Sequence, residues 1–373
     1  MSFSEWRETK LDEVLNFYNG KKRPTESGNI PVYGGNGILN YCSSYNTEGE
    51  SLIIGRVGAY CGNVFYENNK CWISDNAILA KAKENISCKF MYYKLKHLNL
   101  HDMRIGSSQP LLTQGILKSL TTTIPQLPEQ KAIAATLSAL DDMIELNNQI
   151  NKTLEEIAQE IFKSWFVDFE PFKDWEFEES ELGLIPKGWR VGRLGEIVDI
   201  FDSKRVPLSS RQRSAMEKKY PYYGAATLMD YVENYIFEGV HVLLGEDGTV
   251  MDEKGYPILQ YVWGKFWVNN HAHVLKGKGV FSDEFLYMLL KNTNVASIVT
   301  GAVQLKINQG NLTGLKVIIP PDDVVKQYNE IVKDIFACWR SNVDEKKVLI
   351  SLRDILLPKL MSGEIRVPME EVV

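Results

Sequence analysis

Residues 129–169 constrain what this chain can fold into more than any other stretch. Apolar or small residues recur there at alternating steps of four and three: Ile133, Leu137, Leu140, Ile144, then Leu154, Ala158, Ile161 and Trp165. That step is the seam of a coiled coil. Asn147 and Asn151 occupy the two beats in between, and no glycine or proline interrupts the run. Pro128 stands just ahead, where a helix start tolerates it. The pattern predicts a single helix, about 50 Å long from Ile133 to Trp165 at roughly 1.5 Å per residue. Such a helix cannot bury its own seam, so it needs a partner. The end of the chain offers one in Val325, Tyr328, Val332, Ile335 and Trp339, then Asn342 and Lys346, then Leu349, Leu356 and Leu360, with Arg353 out of pattern. Both stripes are apolar, then polar, then apolar. Polar seam positions fix register and orientation at some cost in stability.

The rest of the chain reads as one unit written twice. Trp6 and the run at 9–17 are answered by Trp189 and the run at 192–200. IPVYGG (30–35) is answered by YPYYGA (220–225), and EGESLIIGRVG (48–58) by EGVHVLLGEDG (238–248). Trp72 matches Trp267, and Phe90 and Tyr92 match Phe285 and Tyr287. Gly106, Gln109, Gln114 and Gly115 match Gly301, Gln304, Gln309 and Gly310. Each copy ends at a proline-marked stop, TTTIPQLP at 121–128 and KVIIPP at 316–321, and then enters its long helix. Within each copy the apolar runs are short, rich in Val, Ile, Tyr and Trp, and punctuated by glycine, which is the pattern of strands and turns. Runs 52–54, 242–244 and 317–319 are expected core strands, and 90–97 and 285–291 short helices. The acidic span 171–188 is expected to be a surface connection. Pairing each helix with its own copy generates a pseudo-two-fold. Antiparallel helices would hold two similar globules about 50 Å apart, roughly a turn and a half of duplex DNA at about 3.4 Å per base pair.

Charge becomes informative once it is divided by segment. The whole chain is net −6, but residues 1–124 hold 14 basic and 11 acidic side chains, and residues 189–320 hold 15 and 13. The acid is concentrated in 125–170 (3 against 9), 171–188 (2 against 5) and 321–373 (8 against 10). The two globular halves are therefore mildly basic, which permits a polyanionic partner without demanding one. The polar N-terminus is no secretory signal, and no apolar run approaches a membrane span. Five cysteines without CxxC spacing and five scattered histidines give no zinc constellation. The expectation is a reduced, cytoplasmic protein with no metal and no cofactor of its own.

Several long motifs resemble the specificity subunit of type I restriction–modification systems. They are IPQLPEQKAIAATLSALDDMIELNNQ (124–149), FKSWFVDFEP (162–171), ELGLIPKGWRVGRLGEI (181–197), LLPKLMSGEI (356–365) and the GSSQPLLTQG loop (106–115). The resemblance covers essentially the whole chain. It implies an α+β fold in which two similar mixed α/β target recognition domains are separated by an antiparallel two-helix coiled coil. The corresponding boundaries are 1–124 and 189–320 for the recognition domains, 125–170 and 321–373 for the helices, and 171–188 for the linker. It also implies that each domain reads one half of a bipartite, asymmetric site in double-stranded DNA, while the coiled coil sets the spacer and docks two methyltransferase subunits. Restriction–translocase subunits would join that core. S-adenosylmethionine, ATP and magnesium would belong to the partners. In one respect the chain departs from its own repeat: Leu305 stands where the first copy has Pro110.

Catalytic signatures are missing. There is no Asn/Asp-Pro-Pro-aromatic stretch, the only Pro-Pro being Pro320–Pro321 before Asp322, and no P-loop. GGNG at 34–37 reads as a turn, and the Asp252–Lys254 and Asp344–Lys346 clusters as solvated charge. His271 and His273, on a strand-like stretch, could meet DNA, but a surface or core role is the first reading. A stand-alone methyltransferase or nuclease is therefore disfavoured, as is a secreted rod with adhesin-like heads. Candidate DNA contacts are the Lys and Arg clusters and the amides that can pair with base edges. In the first copy they are Lys21, Lys22, Arg23, Arg56, Arg104 and Gln109. In the second they are Lys204, Arg205, Arg211, Arg213, Gln304, Lys306 and Asn308. Position 56 is Arg and its counterpart is Glu246, the kind of divergence that two different half-sites require.

Overall fold

A computed structural model describes residues 5–106, 110–301 and 303–367. The chain forms two compact units, one of residues 1–148 and 344–373, the other of residues 149–343. Both long helices form as expected: a central helix, Leu127–Phe166, and a C-terminal helix, Asp322–Ser362. Each contributes one part to each unit. The central helix starts two residues before the expected point, with Pro128 in its first turn. It stops at Phe166, three residues short of the predicted end, and Phe169 beyond it is left-handed, at φ 54°.

The two helices pair antiparallel in both units. In the first unit Arg353 donates to Asp141 (2.9 Å), Lys346 to Asn148 (2.9 Å) and Asn147 to Glu345 (3.0 Å), so numbers rise on one helix as they fall on the other. In the second unit the Asn342 side chain donates to the Asn151 side-chain oxygen (2.9 Å), and the Asn151 side-chain amide donates to the Trp339 backbone oxygen (3.2 Å). The polar middle of each seam is thus hydrogen-bonded rather than merely hydrated. Arg353, out of pattern in the sequence, is an ion-pair partner at the seam's edge. Among the apolar seam residues Ile133, Leu137, Tyr328 and Val332 are fully buried and Leu349 nearly so. Leu140, Ile144, Leu154, Ile161, Ile335, Trp339 and Leu356 are half-buried.

The repeat is visible strand by strand. The first unit has a four-stranded antiparallel sheet in the order Leu15–Asn19, Ala77–Ala82, Ser51–Gly55, Val64–Glu67. The second has the same sheet from Val198–Ile200, Ala272–Gly277, His241–Gly245 and Leu259–Val262. Ser51–Gly55 and His241–Gly245 are buried along their whole length, which is why they read as unbroken apolar runs. A second sheet in each unit pairs a hairpin with a short parallel strand. It is Gly37–Cys42 and Ser27–Gly34 against Trp72–Ile73 in one unit, and Leu228–Val232 and Tyr220–Tyr223 against Lys265–Val268 in the other. GGNG is the turn of the first hairpin, with Gly34 opposite Gly37. The short helices Cys88–His97 and Asp283–Lys291 are N-capped alike, by Ser87 and Ser282, whose hydroxyls accept from Phe90 and Phe285.

The span at 171–188 does more than connect. Phe177–Ser180 and Gly183–Pro186 form a β-hairpin, and Phe172 and Ile185 are buried. Apolar residues interspersed with the acid drive this: Phe169 and Phe172 meet Trp189 edge-on and Phe166 meets it tilted, with ring centroids 5.1–5.8 Å apart. In the first unit the C-terminal turn is tied down by charge. Glu129 is fully buried and receives both Arg366 nitrogens, one at 2.7 Å, while Lys94 donates to the Met361 carbonyl at 2.7 Å.

Two stability predictions follow from these contacts. Arg366→Met strands a buried carboxylate and should lower unfolding free energy by about 3 kcal/mol in urea titrations, with Glu129→Leu/Arg366→Met recovering most of it. His241 is buried among Phe201, Phe237 and Phe266. Burial, helped by Lys276, pushes its pKa down to about 4, although the Gly239 carbonyl opposes the shift. The unfolded chain takes up that proton near pH 6.5, so stability is complete above that pH and is lost as pH falls toward 4, by at most about 3 kcal/mol. His241→Leu should flatten that part of the profile, as measured by denaturation midpoints between pH 7 and 4.

Candidate nucleic-acid interface

In each unit three segments converge at one end of the buried central strand. They are the exit of the sheet's first strand, the loop after the central strand, and the glycine loop before the last short helix. Backbone hydrogen bonds hold them together. In the first unit Arg56 N–H donates to Asn76 O (3.0 Å), Leu112 N–H to Arg56 O (2.9 Å) and Gly58 N–H to Pro110 O (3.0 Å), and Ile105 and Leu111 exchange a pair. The second unit repeats each rung. Glu246 N–H donates to His271 O (2.8 Å), Ile307 N–H to Glu246 O (2.9 Å) and Gly248 N–H to Leu305 O (2.9 Å), and Thr300 and Lys306 exchange a pair. The change from Pro110 to Leu305 is harmless to this frame, because the group used at that position is a carbonyl. Gly106 and Gly301 open the two loops at φ 87° and 92°, a conformation that glycine alone adopts without strain. One scaffold thus carries two sets of side chains.

The expected DNA contacts divide into two kinds. Lys21, Lys22 and Arg23 are exposed at the exit of the first strand, where Lys21 N–H is fixed on Ile73 O (2.9 Å). Arg56 is partly exposed on the frame. Arg104 is half-buried against His101, whose ring meets the Cys61 carbonyl. Gln109 lies outside the described residues. In the second unit Lys204, Arg211 and Gln304 are exposed, and the Lys306 side chain is half-exposed at 48%. Arg205, Arg213 and Asn308 are instead engaged by their own unit. Arg213 bonds Asp230 (3.1 Å) and Leu208 O (2.6 Å) and lies over the Tyr222 ring. Lys218, the Tyr231 N–H and Arg213 together hold the Asp230 carboxyl down at about 2. The Asn308 side chain caps the helix Gln309–Gly314.

Arg205 belongs to a buried charged cluster that the sequence reading missed. It donates to Glu246 (2.6 Å) and Ala272 O (2.7 Å). His273, fully buried, has Nδ1 at 2.5 Å from Asp202 and Nε2 at 2.8 Å from Ile307 O. Both ring nitrogens therefore have a polar partner. Lys306 Nζ lies 3.2 Å from Glu246. Burial alone would raise the Glu246 carboxyl. The Arg205 hydrogen bond, the charges of His273 and Arg205, and Lys306 overcome that and hold it below its usual value. Asp202, Glu246 and His273 could in principle ligate a cation, since their donor atoms lie within 4.8 Å of one another. The arrangement does not suit one: Arg205 and Lys306 already bind the carboxylates, and both His273 nitrogens are engaged. His271, which is exposed, sits on the frame with Nδ1 at 2.5 Å from Asp247. Strand register makes Ile78 the counterpart of His273 and Asn76 that of His271. A change from apolar to titratable at a buried core-strand position was the signal available in the sequence.

Comparison with known proteins points one way. The family described as the type I restriction modification DNA specificity domain matches residues 3–156 and again residues 186–349. The chain is 28% identical to the type I restriction enzyme MjaIX specificity subunit of Methanocaldococcus jannaschii, over 97% of this chain and 94% of that protein. It is 24% identical to the type I restriction enzyme HindI specificity subunit of Haemophilus influenzae, over 69% of this chain and 71% of that one. Its fold matches the crystal structure of a type I restriction–modification system S subunit from M. genitalium, with a TM-score of 0.70, 19% identity and 96% of both chains covered.

Proposed function

The chain belongs to the type I restriction–modification DNA specificity family, and on that premise we propose how its two units divide the work. As a DNA sequence-specificity subunit it performs no catalysis itself; the catalytic activities of these systems lie on partner subunits. The recognition domains are residues 1–124 and 189–320, each reading one half of a bipartite site in double-stranded DNA. The helices at 125–170 and 321–373, joined through 171–188, set the spacer and dock two methyltransferase subunits, with restriction–translocase subunits joining that core. S-adenosylmethionine, ATP and magnesium are used by those partners, in the cytoplasm. No helix among the described residues is long and apolar enough to cross a membrane.

One observation carries this reading: the duplicated frame keeps its backbone rungs while its side chains diverge, as in Arg56 against Glu246 and Asn76 against His271. Backbone contacts and basic side chains can position a duplex, whereas divergent side chains at fixed places can discriminate bases. A shared fold with two different faces is what an asymmetric site asks for.

Methylome sequencing of a host expressing this chain with its neighbouring methyltransferase should reveal one split, adenine-methylated motif with a fixed spacer. Methylation without such a motif would overturn the reading. Arg56→Glu should weaken DNA binding by the assembled complex roughly tenfold or more, while co-purification with the methyltransferase stays unchanged. Undiminished binding by that variant would remove Arg56 from the interface.

A further inference from the structure

We infer that in the second unit the bases are read by Lys306 and His271, each held from behind by a carboxylate, and that the half-site presents a guanine acceptor to Lys306 and a cytosine amino group to His271. This rests on the reading of the frame as a DNA-facing surface and goes on to name what that surface reads. The place corresponding to Arg56 does not supply the contact. The Glu246 side chain is only 14% exposed and is already bound by Arg205 and Lys306. Its carboxylate faces inward and orients Lys306, whose own side chain is 48% exposed. The cation of the frame has therefore moved across one rung. The first unit has Arg56 on the strand loop and Leu111 on the glycine loop, and the second has Glu246 and Lys306.

His271 repeats the arrangement one residue along. Asp247, at 18% exposure, holds Nδ1 at 2.5 Å, and the His271 side chain is 46% exposed. An Nδ1–H directed at that carboxylate leaves Nε2 of the neutral ring as an acceptor for an outside donor. The Asp247 backbone is bridged to Lys306, and Glu246 N–H to the His271 carbonyl, so both side chains stand on the same rigid frame. A carboxylate-backed ammonium suits the N7 and O6 acceptors of guanine in the major groove, and an accepting imidazole nitrogen suits the N4 amino group of cytosine. The first unit offers the Asn76 amide at the His271 position, the side chain suited to adenine. The two readers thus differ in base preference through side chains on one backbone.

The test is to sequence DNA methylated by the complete complex carrying wild-type chain, Lys306→Ala, His271→Ala or His271→Asn. The expected result keeps the first half-site and the spacer. Each alanine variant loses roughly tenfold or more discrimination at a G·C pair of the second half-site, at a different position for each. Where an alanine complex methylates too little to yield a motif, His271→Asn decides, because it is an exposed change to the residue that the equivalent position already carries. A shift toward A·T at one second-half position supports the inference. An unaltered second half-site in these variants, or degeneracy confined to the first half, overturns it. Absence of any bipartite motif with the wild-type chain would overturn the proposed function itself, which is a separate and recognisable failure.

Discussion

Neither long helix is stable by itself; each needs the other's seam, and that mutual need underlies everything else in the chain. Tertiary packing of an apolar stripe, more than propensity, holds a helix in water. Here Ile133 and Leu137 in one unit, and Tyr328 and Val332 in the other, are fully covered. Between these apolar ends the seam becomes polar on purpose. An amide pair such as Asn151–Asn342, half-buried on both helices, makes its hydrogen bond in this register, and a slip would part it. Leucine there would hold the helices at least as tightly but would tolerate other alignments. Register is what the proposed role, two readers held at one spacing, would require.

The globular part of each unit solves a different problem, which is to vary a surface without refolding it. Its reading frame is tied through main-chain atoms, so side chains can change without disturbing the ties. Pro110 and Leu305 donate nothing there and accept through the same carbonyl. The fully buried central strand fixes where each frame begins. Specificity can then diverge between copies at low structural cost, and Arg56 against Glu246 is a divergence that leaves the rungs intact.

Much of this was legible in the sequence, and the reason is periodicity. The heptad steps gave both helices and their polar middles, and the internal match gave corresponding strands, loops and short helices. Less legible was anything decided by what lies across space. The 171–188 span is acidic and bears proline and glycine, so it reads as solvated; but Phe172 and Ile185 find a core in Phe166, Phe169 and Trp189, which composition cannot reveal. Arg205 and Arg213 read as DNA contacts because charge is normally solvated. They are engaged because Glu246 and Asp230 lie 41 and 17 residues away in sequence but within bonding distance in the fold. His271 was passed over because a histidine on a strand is more often core or surface than reader, and its orienting Asp247 lies 24 residues away.

The charged cluster behind the second frame shows how far the two copies have parted. At the place where the first unit buries Ile78, the second buries His273, beside Arg205, Asp202 and Glu246. Taking these groups out of water costs several kcal/mol per ion before their mutual attraction is counted, and an apolar plug would stabilise the fold at least as well. Stability is therefore a poor account of why the ions are there. What an ion network supplies and an isoleucine cannot is directed contact. Arg205 joins the first strand's exit to the Ala272 carbonyl and to Glu246, and Glu246 passes that constraint to Lys306 on the glycine loop. On the proposal that Lys306 distinguishes one base from another, its ammonium must be held still, and in the second unit charge provides the support that apolar packing alone would leave undirected.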